Sequence, residues 1–215
     1  MTHPPDHPDD PGPAPDVVDR AMRMLRDAYR GTIQFDEHFI PLKYVIDPAR
    51  GALIAPVMVA MLTAEETILF VPVESADALQ ILVSLEPIDD SHAMADRWRI
   101  YHGEPDDVRW ATLYLDMAKL AGVVIDGDAL MTPNPFAHAE PALCKDANQN
   151  PAALRAAASR RAGMDIESPL CVGVDPAGMD LRARFDIVHL WFDAPAYDEA
   201  AARAAIGRLL AEAPS

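Results

Sequence analysis

The sequence has few cysteines and few basic side chains. Its two cysteines, Cys144 and Cys171, lack CxxC spacing, which favours free thiols over a disulfide framework or a zinc site. The 18 lysines and arginines face 34 aspartates and glutamates, so the formal net charge is −16 at pH 7. Because such a charge repels phosphate backbones and anionic lipids, we expect neither nucleic acid nor a membrane surface as a partner.

Long apolar runs and catalytic signatures are also missing. The longest apolar run, Ala52 to Leu62 with Pro56 inside it, is too short to cross a hydrocarbon core of about 30 Å as a helix. The first residues lack the basic and apolar regions of a secretory signal, so we expect a cytoplasmic protein. There is no GxSxG, GxxxxGK or GxGxxG motif, and the sequence leaves open whether the protein is an enzyme.

Residues 1–16 contain many prolines and aspartates but no large apolar side chain after Met1, and we predict a disordered tail there. Helical spacing then begins at the N-cap Asp16 and ends at Gly31. Five short apolar or alternating stretches follow, and we interpret them as strands: TIQF, PLKYVI, ALIAPVMVAML, TILFVPV and ALQILVSLE. Their close spacing predicts an antiparallel split barrel in an α+β protein.

The segment DRWRIYHGEP predicts a further strand, with Arg97 and Arg99 on one face, and a helix is expected from Asp106 or Asp107 to Gly122. These elements complete a predicted barrel domain at 17–131. Prolines and weak periodicity predict a linker at 132–151, with one short helical turn. A small α+β domain is expected at 152–215: a helix, a hairpin that turns at DPAG, a strand and a last helix.

This order of elements resembles the split-barrel family of pyridoxamine 5'-phosphate oxidase-like flavoproteins. The C-terminal stretches PAALRAAASRRAG, CVGVDPAGMDLRARF and IVHLWFDAPAYDEAAARAAIGRLLAEA are similar to the small uncharacterised domain that follows the barrel in haem-utilisation proteins. The resemblance implies a homodimer that binds flavin mononucleotide (FMN) or haem near the subunit interface. A departure from the family concerns the phosphate site: residues 31–95 carry ten carboxylates against Lys43 and Arg50, so we expect FMN to bind weakly or not at all.

Four residues are the candidate cofactor-binding set. Arg97 and Arg99, with Lys43 from another strand, have the chemistry to hold a phosphate or a propionate; the alternative is salt bridging to surface carboxylates. His102, beside Gly103, is a candidate haem ligand or an acid or base; the alternative is a histidine that only ends a strand. No metal site and no catalytic residue is predicted.

Two classes of function remain at this stage. The first is a flavin- or haem-related binding protein of the split-barrel group with a degenerate cofactor site, which takes a small-molecule ligand. The second is a cofactor-free protein that keeps the same scaffold for contacts with other proteins.

Overall fold

The computed structural model describes residues 15–106 and 108–211, which form a curled antiparallel half-barrel and a smaller three-stranded sheet, each with helices. Residues 1–14 of the predicted tail, and the predicted cap Asp107, lie outside the described residues. The elements of the half-barrel part are α1 (Pro15–Ala28), β1 (Arg30–Phe35), β2 (His38–Lys43), β3 (Val45–Ile46), β4 (Leu53–Val57), β5 (Thr67–Val71), β6 (Leu79–Ile88), α2 (Ala93–His102), β7 (Arg109–Leu120) and β8 (Val123–Asp126). Those of the smaller part are α3 (Glu140–Ala147), α4 (Pro151–Ala162), β9 (Leu170–Asp175), β10 (Gly178–Arg182), β11 (Ile187–Trp191) and α5 (Glu199–Ala211).

The large sheet has the strand order β2-β1-β5-β6-β7-β4-β3, and β8 also pairs with β7. All of these pairings are antiparallel. The long strand β7 makes this arrangement possible, because β6 lies along one edge while β4 and β8 share the other. Leu82 pairs with Met117 and Val83 with Leu115, so Asp116 is the extra residue of a bulge in β7, which increases the local twist and so favours curling of the sheet. The sequence-based prediction of an antiparallel split barrel with flanking helices is confirmed.

The small sheet, β11-β10-β9, is covered on both faces. Val172 and Ile187 belong to the core of the half-barrel, whereas Cys171, Val174 and Leu190 belong to a second core. That second core also contains buried side chains of α3, α4 and α5, such as those of Leu143, Leu154 and Ile206. The three strands therefore form a layer between the half-barrel and the last three helices.

One predicted element has the wrong type: residues 93–102 form the helix α2, not a strand. Arg97 and Arg99 therefore do not share a face, because residues two positions apart on a helix point in widely different directions. The side chains of RWRIYH alternate in character along the sequence, a pattern that is typical of a strand. The buried side chains are instead Ala95, Trp98 and Tyr101, which recur every three residues and form the inward stripe of a helix.

A second element is also wrong: the helix expected between Asp106 and Gly122 is the strand β7. Trp110, Ala111, Thr112 and Leu113 are consecutive and all buried, because this part of β7 has neighbours along both edges and is covered on both faces. A strand buried on both faces loses its alternation. The apolar side chains were consequently misread as a helical stripe.

The predicted strand ALIAPVMVAML is only partly correct, because the strand β4 ends at Val57 and Val59–Thr63 form a 3-10 helix. The hairpin turn at Asp175 to Gly178, the strand β11 and the helices α1, α4 and α5 are confirmed. The expected linker at 132–151 contains a longer helix than predicted, α3, which packs on β9. The division of the chain into domains stays a prediction. Among the described residues, no helix is long and apolar enough to cross a membrane.

We predict that Gly127→Ala destabilises the protein by about 1–3 kcal/mol, because a Cβ at Gly127 would lie 1.6 Å from the carbonyl oxygen of Leu115 on β7. The matched control is Gly207→Ala in α5, where a Cβ meets nothing within 4 Å. Removing an exposed glycine from a helix should stabilise the protein by about 0.5–1 kcal/mol. Urea unfolding of both variants measures these free energies; equal effects would contradict the close packing at Gly127.

Candidate functional site

A buried carboxylate, Asp180 on β10, joins the two parts of the molecule. Its Oδ2 accepts hydrogen bonds from the hydroxyls of Tyr29 at 2.6 Å and Tyr101 at 2.9 Å, and its Oδ1 lies 2.7 Å from Nδ1 of His189. Burial alone would raise the pKa of Asp180, but the hydrogen bonds from His189 and the two tyrosines, with the charge on His189, lower it below its ordinary value. Asp180 is therefore an ionised acceptor, although it is only 4% exposed.

Gly173 on β9 makes room for this cluster. A Cβ at this position would lie 1.8 Å from the hydroxyl oxygen of Tyr101 and 2.8 Å from Oδ2 of Asp180. The tyrosine from the half-barrel part therefore reaches the small sheet only because residue 173 has no side chain.

Arg97 extends the cluster toward α3. Its guanidinium donates to both carboxylate oxygens of Glu140, at 2.8 and 2.9 Å, and to the hydroxyl of Tyr101 at 3.0 Å. Burial alone would lower the pKa of Arg97, but its interactions with Tyr101 and with the Glu140 carboxylate, which accepts its hydrogen bonds, raise it above its ordinary value. The arginine is thus held as a cation whose charge is matched by a buried carboxylate.

Beside this cluster lies a cavity of about 450 Å³, which we call the junction cleft. Its charged groups are mainly paired: Arg97 with Glu140, and Arg26 with Asp175 at 2.5 Å. Arg23 at its rim stacks on Trp191, with its guanidinium carbon 4.5 Å from the ring centroid. Five prolines also line it: Pro48, Pro133, Pro135, Pro176 and Pro195. The junction cleft therefore offers mostly apolar walls and little net positive charge.

A second cavity, of about 510 Å³, lies on the other side of Tyr101, and we call it the basic cleft. It is lined by Lys43, Tyr101, His102, Gly103, Glu167, Ser168, Leu170, Arg182, Ala183, Arg184, Phe185 and Asp186. Its cations come from the end of β2 and from the end of β10 and the residues after it. Asp186 is already paired with Arg30 at 2.8 Å, so Glu167 is the remaining carboxylate opposite three basic side chains. The basic cleft is therefore a locally cationic site on an acidic protein.

His102 contributes the one imidazole of the basic cleft. Its Nε2 lies 2.8 Å from the carbonyl oxygen of Tyr44, and because a carbonyl only accepts, Nε2 carries the hydrogen. Burial lowers the pKa of His102 to about 4, against a smaller raising effect of this hydrogen bond. The imidazole is thus neutral at pH 7, and Nδ1 keeps the lone pair that a metal or a donor group requires.

The four predicted binding residues are not brought together. Lys43 and His102 line the basic cleft, whereas Arg97 lies at the junction cleft with Glu140. Arg99 forms ion pairs at the surface, with Asp90, with Asp96 at 2.9 Å and with Glu104 at 3.3 Å. Both arginines thus form the salt bridges to carboxylates that are expected from the sequence as the alternative to cofactor binding. Their role in binding a cofactor stays a prediction.

Sequence reasoning missed Arg182, Arg184 and Phe185 as members of a cleft. The alternation of Arg182 and Arg184 after a strand was the available signal, but only the fold shows that they face Lys43. It also missed Asp180 and His189 as a pair. These two residues occupy facing positions in the antiparallel register of β10 and β11, and a polar pair within two apolar strands signals a buried interaction.

Comparison with known proteins supports the fold. No family model and no curated protein matches the sequence. The crystal structure of the protein Atu2129 from Agrobacterium tumefaciens, of unknown function, is similar with a TM-score of 0.73 and 17% identity over 95% of this chain and 99% of that one. A heme binding protein from Mycobacterium smegmatis gives a TM-score of 0.44 and 18% identity over 92% and 97% of the two chains. Together with the topology, the likeness to Atu2129 places the chain in the structural class of α+β half-barrel proteins with an appended small sheet.

We predict that Asp180→Asn destabilises the protein by about 3 kcal/mol or more, because the amide group would set a donor against one of the three donors that now face the carboxylate. Asp165→Asn is the control: Asp165 pairs with Arg155 at the surface, and its loss should change stability little. Chemical unfolding at pH 7 compares the two. A small effect at Asp180 would mean that the cluster does not hold the two parts together.

The lowered pKa of His102 predicts a pH dependence of stability. The folded protein disfavours the charged imidazole. The contribution of the neutral His102 to the free energy of unfolding is therefore at its full value above about pH 6.5, and it decreases as the pH falls toward about 4. His102→Gln keeps a donor for Tyr44 but does not titrate. The wild type should lose up to about 1 kcal/mol per pH unit more than this variant across that window. Unfolding free energies at several pH values measure the difference, and parallel curves would contradict the burial of a neutral His102.

Proposed function

We propose that the protein binds a planar, carboxylate-bearing small molecule of the haem type in the basic cleft. The cleft volume of about 510 Å³ falls within the range of about 300–1,000 Å³ that is usual for small-molecule sites. Lys43, Arg182 and Arg184 supply cations suited to carboxylates. Phe185 is 80% exposed and, with Leu170, offers apolar surface to a flat ring system.

The observation that carries this proposal is the state of His102. A haem iron needs an axial ligand with a free lone pair, and a neutral imidazole whose other nitrogen donates to a carbonyl meets that need. Among the described residues, no group of three or more histidine, cysteine or acidic side chains has the arrangement for a bare metal ion. A haem brings most of its iron ligands in its own ring, so one histidine suffices.

We expect FMN to bind less tightly than haem. Its phosphate would use the same cations, but FMN has no iron, so His102 would add nothing comparable to a bond with the metal. Weak binding of FMN therefore stays the prediction. Its reason is now the missing bond between His102 and an iron, not the number of carboxylates in residues 31–95.

The second candidate function is a homodimeric interaction protein without a cofactor. The apolar run Ala52 to Leu62 is the longest in the chain and is mostly covered by the chain itself, since Ala52–Ala55 and Val57 are buried. Met58 and Val59 remain 54% and 61% exposed, and this exposed pair favours a contact with a second copy. Light scattering at micromolar concentration tests the dimer, and a mass near 23.4 kDa would contradict it.

We predict that titration with haemin produces an absorbance change between about 350 and 550 nm that depends on His102. His102→Gln should remove the spectral signature of histidine ligation. Lys43→Glu or Arg182→Glu should weaken binding by tenfold or more, because each loses a charge-assisted contact worth about 1.5–3 kcal/mol. Arg99→Ala is the control and should leave the affinity unchanged, because Arg99 lies outside the cleft.

Iron-free protoporphyrin separates the two contributions. It keeps the carboxylates but not the metal, so its affinity should decrease in the Lys43 and Arg182 variants and stay the same in His102→Gln. Haemin that binds equally to all variants would contradict the basic cleft as the site. The absence of any haemin binding to the wild type would favour the interaction protein.

A further inference from the structure

The two cysteines meet where α3 packs on β9. Glu140, Cys144 and Asn148 are spaced by four residues and so share one face of α3. At one end, Glu140 Oε1 accepts a hydrogen bond from the backbone N–H of Val174 at 3.0 Å. At the other end, the Asn148 side chain exchanges two hydrogen bonds of 2.9 Å with the backbone of Cys171. Cys144 lies between these two anchors, on the helix face that contacts β9.

A bulge in β9 turns Cys171 toward this face. In the register with β10, Gly173 pairs with Asp180 and Cys171 with Leu181, so Val172 is the extra residue. Val172 consequently packs in the core of the half-barrel, while Cys171 and Val174 pack with α3 in the second core. Cys171 is a member of the second core and Cys144 packs against that same core, so the two side chains are neighbours, and both thiols are free.

Exposure differs between the two thiols. Cys144 is half-buried, whereas Cys171 is only 3% exposed. We propose that Cys144 and Cys171 form a reversible dithiol–disulfide pair that is oxidised by low-molecular-weight disulfides. Cys144 is the thiol that reacts first, and Cys171 is the thiol that completes the bridge. This site is independent of the basic cleft and of its ligand.

The reaction is an ordinary thiol–disulfide exchange in two steps. The Cys144 thiolate attacks one sulfur of the reagent, the sulfur–sulfur bond of the reagent breaks, and one reagent thiolate leaves. The Cys171 thiolate then attacks the sulfur of Cys144 in the mixed disulfide, and the second reagent thiolate leaves. The two protein thiols lose two electrons and two protons, and the reagent disulfide gains them as two thiols.

The second step should be slow at neutral pH. The neighbouring Cys144 thiol and burial raise the pKa of Cys171 well above its ordinary value, so little thiolate is present. Closure of the bridge should therefore accelerate as the pH rises toward 9. The bridge would hold α3 on β9, and Glu140, which binds Arg97 at the junction cleft, lies one helical turn from Cys144.

Incubation of the full chain with oxidised glutathione at pH 7 and pH 9 tests the pair. We expect a product whose intact mass is lower by two hydrogen atoms, which has no free thiol after denaturation and which melts several degrees higher until a reductant is added. Cys171→Ala should stop at a stable glutathione adduct on Cys144. Cys144→Ser should not react while folded, because Cys171 is buried.

Three outcomes would overturn the proposal. A wild-type adduct that persists at pH 9 would show that the thiols cannot bridge. A covalent dimer through Cys144 would show that the reaction is intermolecular. Two thiols that stay reduced at pH 9 with excess reagent would show that Cys144 is not reached. Circular dichroism of both variants confirms that they are folded, and wild-type mass alone decides between bridge, adduct and dimer if one variant is not.

Discussion

The structure depends on the need to satisfy one buried carboxylate. Asp180 sits on a strand between Met179 and Leu181, both fully buried, where an unpaired charge would cost several kcal/mol. Its oxygens are matched by donors from three places: Tyr29 after α1, Tyr101 on α2, and His189 on the neighbouring strand. Two of the three donors come from the half-barrel part, so the small sheet satisfies Asp180 only when it is docked against that part.

The position of this cluster also defines the two clefts. Tyr101 is the side chain that separates them, since it donates to Asp180 and accepts from Arg97 on one side and lines the basic cleft on the other. On the junction side, Arg97 forms an ion pair with Glu140 and Arg26 forms one with Asp175. On the other side, Arg30 neutralises Asp186, while Arg182 donates to the carbonyl oxygen of Ile100 and Arg184 lies over the Phe185 ring, contacts that leave both positive charges in place. The same interface therefore produces one cleft with balanced charge and one with excess positive charge.

The fold was largely predictable from local pattern, and the exceptions have physical causes. Strands with one exposed face, such as β1 with its alternating burial, were recognised, as was the hairpin with a proline and a glycine at its turn. The helix α2 was missed because its charged and aromatic side chains alternate by chance, and β7 was missed because burial on both faces removes its alternation. In both cases, packing against other parts of the chain decides which side chains are buried, and the sequence of the segment alone does not show that packing.

For the candidate site, the sequence correctly pointed to polar side chains but not to their grouping. Lys43 and His102 share a cleft although they lie on different elements, while Arg97 and Arg99, neighbours in the chain, face different partners. Grouping residues by sequence distance fails on a helix, because positions two apart diverge. Arg182 and Arg184 lie about 140 residues beyond Lys43 in the chain, and only docking of the small sheet brings them to the same cleft.

Distance also changes the meaning of the net charge. The carboxylates of Asp36 and Glu37 are at the turn between β1 and β2, and the register places Lys43 at the opposite end of β2. Five residue steps of about 3.4 Å separate His38 from Lys43, or about 17 Å. This exceeds the Debye length of about 8 Å at physiological ionic strength, so the charges at the turn are screened from the basic cleft. Glu65 and Glu66 share a surface cavity with Asp36 and are equally remote. An anionic ligand at Lys43 therefore responds to the nearby Arg182, Arg184 and Glu167 more than to the −16 of the whole chain.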